Sequence, residues 1–214
     1  MIWTKDDIQE LDQRYRGRFV NSLSGIKSAN LIATKSKEGR SNLAIFSSVV
    51  HLGANPAMVG FVMRPTTVER HTYLNIIETG CYTINHIHEG IVRQAHQTSA
   101  RYEDSEFEKC GLTEEYLNDY HAPAVAESSV KYGVRFSDLN NLANGCKFII
   151  GDIEWVSFDE SALADDGYLD LAQLGATGIV ALDGYHSVSL LERLSYAKPD
   201  QELTAVQDWK KGWS

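Results

Sequence analysis

Ala29-Asn30-Leu31-Ile32-Ala33-Thr34, Lys37-Glu38-Gly39-Arg40, Asn42-Leu43-Ala44-Ile45-Phe46-Ser47-Ser48-Val49-Val50 and Ala57-Met58-Val59-Gly60-Phe61-Val62-Met63 follow one another in the chain. The first run reads as a strand, the second as a polar, glycine-bearing turn, and the third as the returning strand of a hairpin. Asn55-Pro56 breaks the pattern, and the last run is uniformly apolar, as a buried strand is, until it ends at Arg64. Working outward, Cys81 to Ile87 alternates as another strand. Val130 to Phe136 and Cys146 to Phe158 form a second hairpin around an Asn140-Asn141 turn region, and Val188 to Leu194 reads as a further strand.

Helices are expected between these strands. Thr4 with Asp7 three residues on has capping-box spacing, and Ile8, Leu11 and Tyr15 share one face of the helix it would start. Thr67 to Glu78 reads as a helix with Val68, Leu74 and Ile77 or Ile76 inward, stopped by Gly80. Shorter helices are predicted over Glu89 to Ala100, Ser105 to Cys110 and Asp170 to Leu174. Many strands without regular βαβ alternation argue for a mainly β chain, a β-barrel with peripheral helices. No repeat or linker divides the sequence. The expectation is one domain over residues 1–214, with a core of about 20–200 and a peripheral N-terminal helix and C-terminal tail.

Composition narrows the function. The 214 residues are 43% hydrophobic and 23% charged, ordinary values for a globular chain. Lys and Arg number 20 against 29 Asp and Glu, a net charge of −9 with no basic cluster, which argues against nucleic-acid binding. Three cysteines without C-x-x-C spacing suggest neither a disulfide framework nor a zinc ribbon. Neither a signal-peptide layout nor an 18-residue apolar stretch is present, so a cytoplasmic chain without membrane attachment is expected. His86, His88 and His96 do not make a ligand set by spacing alone, and no metal is expected. Nucleophile-elbow, P-loop, H-E-x-x-H and G-x-G-x-x-G signatures are absent, so a nucleotide-like ligand would be held by other means.

Two local features invite a ligand. Ser47 and Ser48, small and polar in an apolar run, would let a planar group approach the backbone. The same pattern fits an edge strand facing water. Arg64, followed by Pro65-Thr66-Thr67 ahead of a helix, offers a guanidinium, hydroxyls and helix N-terminal N–H groups, the donor set for a phosphate. It also fits an ordinary helix cap with a solvated arginine.

The order of pieces resembles the flavin reductase-like family of FMN-binding split β-barrel proteins, Greek-key in type. The resemblance is carried by Ser41 to Ser47, Asn55-Pro56, Gly60-Phe61, Arg64, His71 to Ile76, and Thr79 to Asn85. It continues through Gln94-Ala95-His96-Gln97-Thr98-Ser99-Ala100, Ser105-Glu106-Phe107, Gly111-Leu112-Thr113 and Glu192 to Pro199. It implies a homodimer binding FMN near the subunit interface. Asn42, Leu43, Ala44, Phe46, Ser47 and Ser48 would line the ring and ribityl chain. Arg64 and Thr72, with Thr67 and His71, would hold the phosphate. Asn85, Gln94, His96, Ser99 and Ala100 would complete the wall. Where many relatives carry Lys-Asp before the threonine, this chain has Arg70-His71. The implied activity is NAD(P)H-dependent transfer of hydride to FMN, with NADH or NADPH as donor. His96 is the weak candidate for a proton donor, and no other catalytic residue is assigned. The alternatives are an FMN carrier or redox sensor without turnover, and an oxidoreductase whose bound FMN acts on its own organic substrate.

Overall fold

In a computed structural model, residues 1–206 are described; the end of the expected C-terminal tail, residues 207–214, lies outside them. The chain opens with α1 (Lys5–Glu10) and α2 (Gln13–Ser22). Thr4 and Asp7 form the expected capping box, but the helix stops at Leu11. Asp12 then caps a second helix by accepting from the backbone N–H groups of Arg14 and Tyr15. Tyr15 therefore belongs to α2 rather than to a face shared with Ile8. Trp3 closes the pair by packing its ring 4.8 Å from that of Phe19.

The strands that follow are β1 (Lys27–Ser28), β2 (Asn30–Lys35), β3 (Ser41–Phe46), β4 (Val50–Ala54) and β5 (Ala57–Met63). Helix α3 (His71–Thr79) leads into β6 (Cys81–His86), then come α4 (Val92–Gln97) and α5 (Glu106–Cys110). The rest are β7 (Glu114–Glu115), β8 (Ala124–Val125), β9 (Val130–Asn141), β10 (Lys147–Phe158), β11 (Thr177–Val180) and β12 (Gly184–Ser187). Seven strands make one antiparallel sheet in the order β3-β2-β6-β9-β10-β5-β4.

That order explains why the run Asn42 to Val50 is not one strand. Its two halves, β3 and β4, occupy opposite edges of the sheet, yet only Ser47, Ser48 and Val49 join them. The four steps from Phe46 to Val50 reach at most about 14 Å, less than the width of seven paired strands, so the two edges must come together and the sheet rolls into a barrel. Ser48 fixes the crossing. Its hydroxyl accepts from the Val62 N–H at 3.0 Å and donates to the Val62 carbonyl at 3.2 Å. The long β9–β10 hairpin adds curvature through irregularities at Ile150/Gly151 and Ile153/Trp155. Gly133 makes room there, because a Cβ on it would lie 2.1 Å from the Trp155 indole nitrogen.

Two cores lie on the two faces of the β2–β3–β6 region. Ile32, Phe61, Ile76, Tyr82, Ile84, Val134 and Ile149 fill the barrel. Leu31, Ala33, Leu43, Ala95, Phe107 and Ile179 form the second core, shared with α4, α5 and β11. Alternation along β3 sends Leu43 to one and Phe46 to the other.

Several expected boundaries shift. Helix α3 begins at His71, not Thr67, because its inward stripe is Thr72, Asn75 and Ile76 at helical spacing, and the preceding residues carry the chain across from β5. Val68, Leu74 and Ile77 are consequently exposed. The turn of the long hairpin is Leu142 to Cys146, and Asn140 and Asn141 still pair within it. The expected helix at Glu89 is a 3-10 turn over Glu89–Ile91 followed by α4, which ends at Gln97. Asp170 to Leu174 is a turn rather than a helix. The expected strand at Val188 to Leu194 is not formed. Its place is taken by β12, which ends at Ser187 and pairs with β11, and Leu194 makes only an isolated bridge to Ala205. Among the described residues no helix is long and apolar enough to cross a membrane.

Candidate functional site

The start of α3 carries the first group of expected site residues. Arg70 occupies the cap position, and no side chain bonds to the free N–H groups of the first turn. The terminal N–H groups of a helix carry partial positive charge and want an acceptor. Thr72, 5% exposed, sits in that turn, and its hydroxyl accepts from the side-chain amide of Asn42 on β3 at 2.9 Å. This bond ties the edge strand to the helix start. Asn75 repeats the device one turn on, donating to the Thr34 hydroxyl at 3.0 Å. Arg64 and Thr67 are exposed on the segment leading to the helix, and His71 lies beside Glu69 at 3.8 Å. Arg70, which sequence reasoning noted only as a departure from the family pattern, adds a donor: its Nε is buried and has no hydrogen-bond partner among the described residues.

The outer edge of β3 is the second element. The Leu43 N–H turns away from β2 and donates to a carboxylate oxygen of Glu106, 9% exposed, at 3.0 Å. Outward groups recur every second residue in an antiparallel ladder, so the N–H and C=O of Ile45 face the same edge. Nearby, the Ser41 hydroxyl meets Ser105 at 3.0 Å and Glu114. Thus α5 covers the edge at Ser41 to Leu43 and leaves the part toward Ser47 for another partner. Ala44, Phe46 and Ser47 are partly exposed there, whereas Leu43 contributes backbone only, its side chain lying wholly in the core. The Ser48 hydroxyl is already engaged with Val62.

Glu106 belongs to the Ser105-Glu106-Phe107 stretch of the family resemblance, but nothing in the sequence gives it a partner or a role. Replacing it with Ala removes a charged acceptor and leaves the Leu43 N–H without one. The expected cost is about 1.5–3 kcal/mol of stability in urea unfolding, with loss of hydrogen-exchange protection at Leu43. Glu106→Gln keeps an acceptor and restores most of both.

Other expected residues lie elsewhere. Asn85 is wholly buried: its amide donates to the Leu31 carbonyl and Thr83 hydroxyl while its oxygen accepts from the Val125 N–H. It knits β2, β6 and β8 together rather than reaching a surface. Gln94 and His96 are on α4, and Ser99 and Ala100 are exposed just beyond it. The His96 Nδ1 meets the Tyr185 hydroxyl at 2.9 Å. Burial, with Asp183 nearby, pushes the Tyr185 phenol up to about 12, so it stays protonated and can donate to His96. Nothing in the sequence marks Tyr185, because β12, which carries it, ends at Ser187, before the strand expected from Val188.

His88 and His86 are held by their surroundings. His88 accepts from the Gly90 N–H at 3.1 Å through Nδ1, so Nε2 carries the proton toward the Glu127 carbonyl at 3.0 Å. Burial holds His86 down at about 4, against an ordinary 6.5. The unfolded chain therefore takes up a proton as pH falls through 6.5, while the folded protein resists until about 4. Stability present at neutral pH is lost across that window, by up to about 3 kcal/mol. Urea unfolding between those limits shows it, and His86→Gln flattens the slope.

A helix start without a side-chain cap, an orphan guanidinium nitrogen at that cap and a strand tied to it by the Asn42–Thr72 bond suit a planar ligand with a phosphate tail. Residues 24–172 match the flavin reductase like domain. The chain belongs to that family. A Shewanella frigidimarina NCIMB 400 protein assigned as a flavin reductase with a split barrel domain is 50% identical, with a TM-score of 0.89 over 92% of this chain and 100% of its own. The fold is also that of nitrilotriacetate monooxygenase component B from Bacillus cereus (19% identity, TM-score 0.79, 91% and 98% covered). Flavoredoxin of Desulfovibrio vulgaris (Miyazaki F) shares it as well (23% identity, TM-score 0.66, 82% and 92% covered). No match is found among curated proteins. Membership in the flavin reductase-like family implies a flavin ligand, and the split barrel expected from the sequence is the fold observed.

Proposed function

We propose that this flavin reductase-like chain binds FMN and passes hydride to it from NADH or NADPH. The observation that carries the reading is the uncapped start of α3, joined through Thr72 to Asn42 on β3, the strand whose edge is left open farther on, toward Ser47. A terminal phosphate dianion suits that site. It would cap the first-turn N–H groups while Arg64, Arg70, Thr67, His71 and the Thr72 hydroxyl donate around it. FMN ends in such a group, whereas the phosphates of FAD lie inside the molecule. The ring would lie along β3, where the outward Ile45 backbone and small Ala44 and Ser47 allow close approach.

The redox chemistry belongs to the flavin when it is bound. The chain's own part is to hold the phosphate, orient the ring edge against fixed backbone dipoles and keep the site shaped. None of the residues described is required as an acid or base, and His96 stays a weak candidate because its Nδ1 is tied to Tyr185.

A second copy would complete the assembly. Helices α1 and α2 bury none of their own residues, and Leu23, Ile26, Leu191 and Tyr196 are more than half exposed. Apolar surface of that kind marks an interface, and a homodimer is the expected state in sedimentation. A cytoplasmic location is part of the same reading.

Steady-state oxidation of NADH and NADPH with added FMN tests the activity. Turnover above the free-flavin background supports the reductase. FMN uptake without turnover points instead to a carrier or sensor, or to an oxidoreductase with its own organic substrate.

A further inference from the structure

Glu106 is a carboxylate that hydride transfer itself leaves unused. It stands in the first turn of α5, is 9% exposed, and takes the Leu43 N–H on one oxygen at 3.0 Å. Its other oxygen has no hydrogen-bond partner among the described residues, and none of their Lys, Arg or His side chains pairs with it. The next residues inward, Phe107 and Cys110, belong to the apolar core.

Two carboxylates close to it in the chain are better matched. Asp104 pairs with Lys109 at 2.8 Å. Glu114 accepts from the Ser41 and Tyr116 hydroxyls, and Lys35 donates to Tyr116 at 2.7 Å. Both lysines are thereby engaged away from Glu106. A charge without a counterion in a poorly solvated place acts strongly on its surroundings, because little water or salt screens it. Cys110 feels it: burial pushes its thiol up, and the Glu106 charge adds to the rise.

The open part of the β3 edge is the next place along. Leu43 and Ile45 are successive outward positions, about 7 Å apart, and a ring along Ile45 would lie within the field of the carboxylate. Hydride leaves the nicotinamide with both electrons of its C–H bond. The nicotinamide becomes a cation, and the ring that takes the hydride gains one negative charge. A carboxylate without a counterion repels that charge, while the neutral oxidised ring hardly responds to it. We propose that Glu106 weakens the hold of this chain on reduced FMN relative to oxidised FMN, so that the flavin leaves once it carries the hydride. This rests on the FMN reading above. Glu106 is then a positioning residue, which fixes the Leu43 edge and sets the charge beside it.

Anaerobic spectroelectrochemical titration of FMN on the full chain, beside equilibrium dialysis of oxidised and reduced FMN, tests this. Glu106→Gln keeps an oxygen for the Leu43 N–H and removes the charge. It is expected to tighten reduced FMN about tenfold relative to oxidised FMN, which raises the potential of the bound flavin by about 30 mV for a two-electron couple. Its urea midpoint should stay near wild type. Asp104→Asn, which removes a charge already paired with Lys109, is expected to leave the ratio unchanged. An unchanged ratio in Glu106→Gln overturns the proposal, as does an equal rise in Asp104→Asn. A wild type that takes up no FMN overturns the proposal and the FMN reading together. FMN uptake with the expected shift, but without oxidation of NADH or NADPH, upholds the role of Glu106 while the reductase reading falls.

Discussion

Phe61→Ala is expected to lower the stability of the barrel by about 3–5 kcal/mol, the range for emptying a large aromatic from a packed core. Phe61 is fully buried and holds two edge-on ring contacts, with Phe46 at 5.0 Å and Tyr82 at 5.6 Å. The side chain stands on β5, while Phe46 ends β3, so the pair bridges strands near opposite ends of the rolled sheet. Its loss therefore leaves a cavity and also loosens the closure at Ser47 to Val49. Urea unfolding should show a lower midpoint. FMN uptake should weaken too, because Phe46 sits at the end of the edge where the ring would lie. Phe61→Leu, which keeps much of the volume, should recover most of the stability.

The second large effect is expected at Thr72. Thr72→Val keeps the shape but removes the hydroxyl that accepts from Asn42. Asn42 is 7% exposed, so its amide is left buried without that acceptor, at about 1–3 kcal/mol. The same hydroxyl is one of the proposed phosphate donors, and FMN affinity should fall about tenfold to a hundredfold. Thr72→Ser retains the hydroxyl and should keep both properties near wild type. That contrast separates loss of the hydrogen bond from general damage. Stability by urea unfolding and affinity by flavin fluorescence quenching check the two halves independently.

Strand periodicity made much of the barrel legible. The runs at Ala29, Ala57, Cys81 and Val130 announce themselves by apolar, β-rich composition, uniform in the Ala57 run and alternating in the Cys81 run, and a sequence can be read locally for that. Closure could not be read in the same way. Nothing in Asn42 to Val50 says that the chain crosses from one sheet edge to the other at Ser47, because the reason is the pairing of distant strands. The helix start at His71 was missed similarly: Pro65-Thr66-Thr67 has good capping chemistry, but the inward stripe of Thr72, Asn75 and Ile76 decides where the helix begins.

Of the candidate site, one contact between expected residues is seen in the structure. Asn42 and Thr72, thirty residues apart, do meet, and the Arg64 segment does lead to an uncapped helix. Leu43 and Asn85 show the limit. Both belong to motifs, yet one side chain is core and the other joins strands, a distinction that depends on which face of a strand is covered. The roles of Glu106 and Tyr185 were illegible because they come only from partners far along the chain.

The most direct test of the central claim is equilibrium dialysis of the purified chain against FMN, followed by anaerobic addition of NADPH or NADH. The account predicts saturable uptake of one FMN per subunit, weakened in Arg64→Ala, and bleaching of the bound flavin by nicotinamide. A chain that takes up no FMN, or takes it up equally well without Arg64 and the Thr72 hydroxyl, would contradict it.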